Sequence, residues 1–562
     1  QPGLQPIYPG QLMPSEDPRL EETADGFQVH YQGRRLYSPS GPRTGALRRA
    51  ETVPLPENTL FLVPSPLLGY GLEQLLSRLP ASSHLFCVEL DPALSKIAEG
   101  PENQFRDASD ITFHLNSEEP PHSVAGWRRL AKGLLTGSAG GGYRRVRTVS
   151  LNGGSSHLRG AYRNIENELG EAIQQTWQNR MTTIQLGRVW ARNFLVNLGA
   201  TSFARDAATL RDPRPIMIVG PSESLEENGD IIRRLGTAVA VLAVDTSLPI
   251  LRSVYGVVPD YVVSVDSQRA NALDFLGSDS GEYYRLIADT TVHPSIPRLV
   301  GEGRTYWFSS GGFDTALVRS TEQAGLLPTK LPPVGSVAVA AVLLALRMTK
   351  APVYLLGIDL AYTPGKPYAR GAPLHLEELS ETYRLAPERM YGLSLKRPLT
   401  RADNGGGASI PTDLVLLAYR HQLGSLLAGT TRVWRVGDRG LSLGIPVKSP
   451  SALEHEIGPS TPSGPLPTPG RGSEREPEPP SWIAWRREQL DSFLRYRLKT
   501  LREAIESPRP TAEAARSLDH AWFAFPEALT DPEPSPTFPP RLLLRLRRYE
   551  RILKRLLSRP PG

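Results

Sequence analysis

Two short stretches carry residue types that could hold a phosphate-bearing ligand. The first, Ile216 to Ser222, is an apolar run of four that breaks into Gly220-Pro221-Ser222. The second, Val353 to Thr363, is another apolar run, ending in Gly357-Ile358-Asp359 and leading to Tyr362. Glycine lets the backbone approach a ligand closely, and the first N–H groups of the helix that follows favour an anion. Between these stretches, short apolar runs end in Asp245-Thr246, in Asp266-Ser267, in Asp289 and in Ser309-Ser310. Gly335-Ser336 opens a ten-residue apolar helix and makes a second anion-seeking terminus. If the runs are parallel strands, their polar ends gather around one crevice. Each of them, taken singly, is equally a loop start or a helix cap.

The elements needed to hold these residues are legible around them. Strands are expected at 216–219, 238–244, 261–265, 285–288, 304–308 and 353–356, with Leu225, Ile231, Ile232 and Leu235 giving one connecting helix its apolar side. Ser222 or Ser224 would cap that helix. Val337 to Leu346 is apolar on every side, which predicts a buried helix too short to cross a membrane. Asp403-Asn404-Gly405-Gly406-Gly407 reads as a loop, and Thr412 stands before the helix Leu414 to Leu427, where it could close over a ligand.

Upstream, a hairpin is expected around 27–37. Strands at 59–63 and 85–89 flank a helix at 72–79, with further strands at 111–115 and 146–151. Gly69-Tyr70-Gly71 with Glu89 about twenty residues on has the spacing of a dinucleotide or methyl-donor unit, although a full Gly-x-Gly-x-x-Gly is absent. Residues 162–198 turn helical, as a long helix or a helix pair. The fold class that emerges is α/β: two Rossmann-like domains with mainly parallel sheets, a helical linker and a helical C-terminal region. The divisions fall at 1–155, 156–205, 206–445, a Pro/Ser/Gly-rich linker over 446–481, and 482–562. In the last of these, Leu542, Leu546, Tyr549 and Leu553 share a side while arginines crowd another, which suits packing on the protein itself or on an acidic partner protein or a membrane surface.

Composition bounds the reading. The chain has 562 residues, room for three or four ordinary domains, and 40% hydrophobic residues to build cores. Its net charge of +6 suits an anionic ligand without requiring nucleic acid. Cys87 is the single cysteine, so no internal disulfide forms and a reducing, cytoplasmic setting is expected. No apolar run reaches the length of a membrane span. The chain starts at Gln1, which leaves a removed leader open.

The order Ile-Val-Gly-Pro-Ser (218–222), Ala-Val-Asp-Thr (243–246), Pro-Asp-Tyr-Val-Val-Ser-Val-Asp (259–266), Gly-Ser-Val-Ala (335–338) and Leu-Gly-Ile-Asp-Leu-Ala-Tyr-Thr (356–363) resembles the motility-associated factor (Maf) flagellin glycosyltransferases. Their central domain is shared with archaeal 6-hydroxymethyl-dihydropterin pyrophosphokinases and is similar to one class of bacterial sialyltransferases. The resemblance spans residues 193–423. It implies transfer of a nonulosonic, sialic-acid-like sugar from a CMP-activated donor to Ser or Thr of flagellin. Gly220, Pro221, Ser222, Asp245, Thr246, Asp266, Ser309, Gly335, Ser336, Gly357 and Thr412 would then border the donor. Tyr362 and Tyr368 would bond the leaving phosphate, Lys366 or Arg370 would supply charge, and His375, which reads as a loop residue, Asp359 or Asp266 would serve as base. Asp245 and Asp266, on separate strands, leave Mg2+ open without requiring it. The first turn has one glycine fewer than the families' Gly-x-Gly-Pro-Ser, and Tyr368 stands where Maf proteins often carry histidine. Two other readings follow from the same residues: an ATP- and Mg2+-dependent pterin pyrophosphokinase, and a non-catalytic adaptor for flagellin.

Overall fold

A computed structural model of the chain describes residues 17–103, 111–115, 126, 142–201, 205–277, 283–363, 368–386, 399–458, 480–507, 511–522, 525 and 538–558. It divides into two compact units, Gln1–Thr182 and Thr183–Gly562. The division falls within one helix, Arg159–Thr201, which is 43 residues long and a single element.

The first unit starts with an antiparallel meander, β1 (Arg19–Thr23), β2 (Gly26–Tyr31) and β3 (Arg34–Arg35). The hairpin expected at 27–37 thus gains a third strand. β1 is polar and mostly exposed, so no apolar alternation announces it. A parallel sheet follows, of β4 (Thr59–Pro64), β5 (His84–Glu89), β6 (Ile111–Leu115) and β7 (Arg145–Thr148), in the order β6-β5-β4-β7. All six residues of β4 are buried, as a central strand covered on both faces requires.

The dinucleotide spacing in this unit has a packing explanation. Gly71 has φ +89°, and a Cβ there would lie 2.9 Å from the Ala46 carbonyl oxygen, so the glycine admits the Pro42–Thr52 helix. Glu89 is fully buried. Its carboxylate accepts from Ser65 Oγ (2.5 Å), Tyr162 Oη (3.0 Å) and the Asp91 N–H (3.0 Å). Burial raises its pKa to about 7 against the lowering effect of those bonds. With both oxygens engaged inside the protein, Glu89 does not present the free acid that a ribose would need.

The second unit is built on a ten-stranded parallel sheet. Its strands are β8 (Arg205–Asp206), β9 (Ile216–Val219), β10 (Ala240–Val244), β11 (Tyr261–Ser264), β12 (Arg285–Asp289), β13 (Thr305–Ser310), β14 (Lys330–Leu331) and β15 (Val353–Leu356), with β18 and β19 given below. A separate antiparallel hairpin pairs β16 (Leu399–Asp403) with β17 (Ser409–Asp413). The remaining sheet strands are β18 (Val433–Val436) and β19 (Val447–Lys448). The order is β14-β13-β12-β11-β10-β9-β15-β18-β19, with β8 beside β13. Chain order therefore climbs in one direction from β9 and in the other from β15. Between those two neighbours the connections reverse, the place where an open parallel sheet takes a ligand at the carboxyl ends of its strands.

Two apolar layers cover the sheet. One contains the helix Val337–Met348, whose Val339, Ala341, Leu344 and Ala345 pack against Ile218, Leu242 and Val263. The other buries Leu225, Ile232, Leu248 and Tyr255 against Met217, Ala243 and Val262. The helices Pro480–Glu506 and Pro540–Leu557 bury Leu494, Leu501, Leu546 and Tyr549 with Phe194 and Leu198 of the long helix, so the apolar side of the last helix packs on its own protein.

Two further expectations change. The segment 403–413 is a β hairpin: Asp403 Oδ1 accepts from the N–H groups of Gly405 (2.7 Å) and Gly407 (3.1 Å), and the turn closes from Asn404 N to Ala408 O at 3.0 Å. The linker begins later than its proline and serine content suggests. β19 pairs with β18, and the helix Pro450–Ile457 buries Leu453 in the sheet's core. Residues 459–479 lie outside the described residues.

At the reversal point the two neighbouring turns touch backbone to backbone. Gly357 has φ +73°, and a Cβ there would fall 2.0 Å from the Gly220 carbonyl oxygen. Gly357→Ala is expected to cost about 3 kcal/mol or more, through the clash and the left-handed backbone together. Urea unfolding checks this; a loss within about 0.5 kcal/mol of wild type, the range of a neutral surface change, would contradict it.

Candidate active site

The crevice is organised from its floor. Gly220 N donates to Leu356 O (2.8 Å) and Ser222 N to Gly357 O (3.0 Å), which binds the Gly-Pro-Ser turn to the end of β15. Asp359, the last residue of that second turn, reaches the helix Glu223–Asn228. Its Oδ2 accepts from the Ser224 N–H at 2.9 Å and its Oδ1 from the Ser224 hydroxyl. Ser224 Oγ in turn accepts from Gly357 N at 3.1 Å. The Asp359 side chain is 4% exposed, with the Arg435 guanidinium 3.8 Å away. Burial raises its pKa; the bonds from Ser224 and the charge of Arg435 act against that rise.

This changes two expectations. The N–H group at the start of the Glu223–Asn228 helix is satisfied by a resident carboxylate, so the phosphate position of the first turn is already filled by an anion of the protein itself. Asp359 as a general base meets the same obstacle, since both of its oxygens are committed to Ser224. Ser222 begins the helix without capping it through its side chain; its hydroxyl accepts from Asp359 N at 3.4 Å.

The other helix terminus is differently placed. Ser336 caps Val337–Met348 by accepting from Val339 N at 3.3 Å, which leaves the N–H groups of Val337 and Ala338 without an intrahelical acceptor by position. Gly335 N donates to Gln422 Oε1 (3.0 Å), and a Cβ at Gly335 would lie 2.9 Å from the Tyr419 ring. Val265, Val334, Val337, Ile358, Leu360, Ile410 and Tyr419 all pack against the same core. The ends of β11 and β15, the helix terminus and the hairpin therefore converge on one face of the sheet.

Thr412 and Tyr362 fix the hairpin to this place. Thr412 is fully buried, and its hydroxyl donates to Leu360 O at 2.9 Å. Tyr362 N donates to Pro411 O (2.9 Å) and its hydroxyl to Asp413 Oδ2 (2.6 Å); Asp413 caps the Leu414–Leu427 helix through Leu416 N (2.8 Å). Leu360 between them holds φ +52° without being glycine, a strained backbone of the kind that functional sites tolerate. Arg439 pairs with Glu227 and donates to Thr363 Oγ1 at 3.2 Å.

A group of three acids lies along the ends of β10 and β11. Asp245 is 1% exposed and accepts from Ser264 Oγ (2.8 Å) and Thr246 N (3.0 Å). Burial first, then the charges of Asp266 and Asp274, hold its pKa well above the usual carboxylate range. Asp274, 7% exposed, is pushed up to about 7 by burial and by Asp266. Asp266 is the accessible member: it keeps an exposed surface although protein atoms crowd it and lost hydration raises its pKa. It accepts from Asn271 Nδ2 at 3.2 Å. Among the described residues no three acid, histidine or cysteine side chains converge as a metal would require.

Other expected residues stand apart. Ser309 ends β13, four strands from β9, which at the spacing of a sheet is roughly 19 Å along the edge. Asp289 is consumed by Thr291 (2.7 Å from its N–H) and Ser310 N (2.6 Å). Tyr368 is half-buried and packs with the opposite face of the sheet from Val337. His375, read from sequence as a loop residue, is 5% exposed in the helix Pro373–Glu381. Arg370 is exposed and paired with Glu226 at 3.0 Å, and Lys366 lies outside the described residues.

Sequence reasoning gave no chemical role to Ser224 as a carboxylate partner, to Asp274, or to the pair Asn193 and Asn197. These asparagines sit one turn apart on the long helix and are buried. Asn193 Nδ2 donates to Ser267 O (2.9 Å) and Thr291 O (3.1 Å); Asn197 Nδ2 donates to Thr290 O (3.0 Å) and Val292 O (2.9 Å). Two asparagines at i, i+4 on an apolar helix face were the signal, because amides so placed need acceptors.

Comparison with known proteins agrees with this architecture. Residues 192–365 match the family model "6-hydroxymethylpterin diphosphokinase MptE-like". An uncharacterized protein of Treponema pallidum (strain Nichols) is 28% identical over 451 residues, which cover 77% of this chain and 74% of that protein. A second protein of the same organism is 29% identical over 137 residues, 24% of this chain and 48% of its own length. The Maf glycosyltransferase structure from Magnetospirillum magneticum AMB-1 superposes with a TM-score of 0.51 at 14% identity, covering 96% of this chain and 86% of that one. The findings fit the resemblance carried by the motifs: a Maf-type fold with an MptE-like central domain.

The acid group generates a pH prediction. Asp274 has a folded pKa raised to about 7 above an unfolded value of 3.8, so its contribution to stability is intact at low pH and is lost as pH rises through 7. Asp274→Asn is therefore expected to raise the melting temperature at pH 8 and to give little gain at pH 4. A scan of melting temperature against pH checks it; an equal effect at both ends would show that the charge is not the cause.

Proposed function

We propose that this chain is a glycosyltransferase that moves a nonulosonic, sialic-acid-like sugar from a CMP-activated donor to Ser or Thr of flagellin in the cytoplasm. The observation that carries the reading is the reversal of strand connections between β9 and β15, with the N-terminus of Val337–Met348 and the β16–β17 hairpin on one face and the exposed Asp266 two strands along from β9. The Maf fold over 96% of the chain supports it.

In this reading the donor phosphate takes the N-terminus of Val337–Met348, because Asp359 already fills the other one. Gly220, Pro221 and Gly357 form the close-packed floor. Tyr362, tied to Asp413, offers its hydroxyl oxygen as a fixed polar group on the hairpin side. Tyr368 packs on the other face of the sheet, and neither it nor the buried His375 takes a step in this transfer. The bond from the anomeric carbon to the CMP phosphate breaks with its electron pair leaving on phosphate, and helix N–H groups stabilise the growing charge. The acceptor hydroxyl forms the new C–O bond and gives its proton to Asp266, whose carboxyl is shifted above the ordinary carboxylate range by lost hydration. Mg2+ is not required by these roles.

The diphosphokinase reading is favoured by one observation, the family match over 192–365. It would take ATP and Mg2+ at the same crevice and leave the rest of the chain without a part.

The test is transfer itself. Purified chain, a CMP-activated nonulosonic acid and flagellin are expected to give the mass increment of one sugar on Ser or Thr peptides. Asp266→Asn should lower the rate about 10²–10⁴-fold while CMP still binds by calorimetry. Formation of a pterin diphosphate from ATP, with no sugar transfer, would move the activity to the alternative.

A further inference from the structure

A second concave surface lies in the same unit, away from the donor crevice. It is a groove of about 880 Å³ between the long helix and the C-terminal helix Pro540–Leu557. Arg188 and Arg192, one turn apart, line one side. Arg541, Arg545, Arg548 and Arg551 line the other and span about 15 Å along the helix axis. The groove's apolar lining is the buried Phe525 and Tyr549 and the half-buried Val189, with Leu544 adding an exposed apolar side chain.

Among the described residues no carboxylate pairs with Arg188, Arg192, Arg545, Arg548 or Arg551. Glu550, the one acid on the C-terminal helix, turns instead to Arg502 (3.2 Å) and Lys554 (2.6 Å). Arg545 is half-buried with its guanidinium 4.2 Å from the Phe525 ring centre, and burial with the charges of Arg188 and Arg541 pushes its pKa down. Like charges held this close favour any ligand that neutralises them.

We propose that this groove is a docking site for an acidic, amphipathic segment of a partner polypeptide. Two arginine rows would take carboxylates spaced one helical turn apart, and the apolar lining would take the apolar residues between them. A small phosphate ligand would use the charge but not the apolar lining, and a membrane would meet a concavity rather than a flat face. The groove's position gives the docking a purpose. Arg192 is followed by Asn193, whose amide holds the loops after β11 and β12 at the carboxyl edge of the sheet. A polypeptide seated in the groove would thus be held beside the catalytic face. If sugar transfer is the activity, that polypeptide is the acceptor or its carrier; the docking claim itself does not require transfer.

The experiment uses the full chain and no donor. A fluorescein-labelled helical peptide of about five turns, with glutamates one turn apart on one side and leucines on the other, is titrated by anisotropy. Saturable binding is expected, weakening at least tenfold from 50 to 300 mM NaCl. Arg548→Glu/Arg551→Glu and, separately, Arg188→Glu should each weaken it about tenfold or more, with unchanged circular dichroism and melting temperature. These arginines are exposed, so the fold should tolerate the change. Equal binding of the glutamine version of the peptide, displacement by equimolar inorganic pyrophosphate, or wild-type affinity in both variants would each overturn the proposal.

Discussion

The bond of Asp359 to Ser224 is the constraint on which the central site depends. It joins the end of β15 to the start of the helix that follows β9, at the one place in the sheet where strand connections reverse. Its cost is a buried carboxylate, offset by two hydrogen bonds and by Arg435 nearby. In return the two glycine turns are held in backbone contact, and the helix terminus that would otherwise attract phosphate is closed. In the proposed reading the donor phosphate is therefore left to the N-terminus of Val337–Met348.

The remaining parts act as supports for that arrangement. Thr412 and Tyr362 fasten the hairpin to the β15 loop. Asn193 and Asn197 hold the loops after β11 and β12, so Asp266 stands on a loop anchored through its neighbour Ser267. The same long helix carries Arg188 and Arg192 into the basic groove. One helix therefore links the edge that presents the acid to the surface we assign to a partner.

Much of the fold was legible in the sequence because buried parallel strands read as short apolar runs with polar ends. Ile216–Val219, Ala240–Val244, Tyr261–Ser264 and Val353–Leu356 all announce themselves this way. The all-apolar helix at 337–348 did so by the absence of any polar side. What escaped were elements held by polar contacts: β1, the β16–β17 hairpin and the strand and helix at 447–457. Residue type brought the acids and tyrosines to notice but could not say which oxygens were free. Asp359 and Asp266 look alike in sequence, each ending an apolar strand, yet one is buried and spent on Ser224 while the other is exposed. His375 likewise reads as a loop residue until the helix that buries it is seen.

The most direct test of this account is a crystal structure of the chain soaked with CMP. The phosphate is expected at the N–H groups of Val337 and Ala338, with the Asp359–Ser224 bond intact. Phosphate density in the Gly220-Pro221-Ser222 turn, with Asp359 displaced from Ser224, would contradict it.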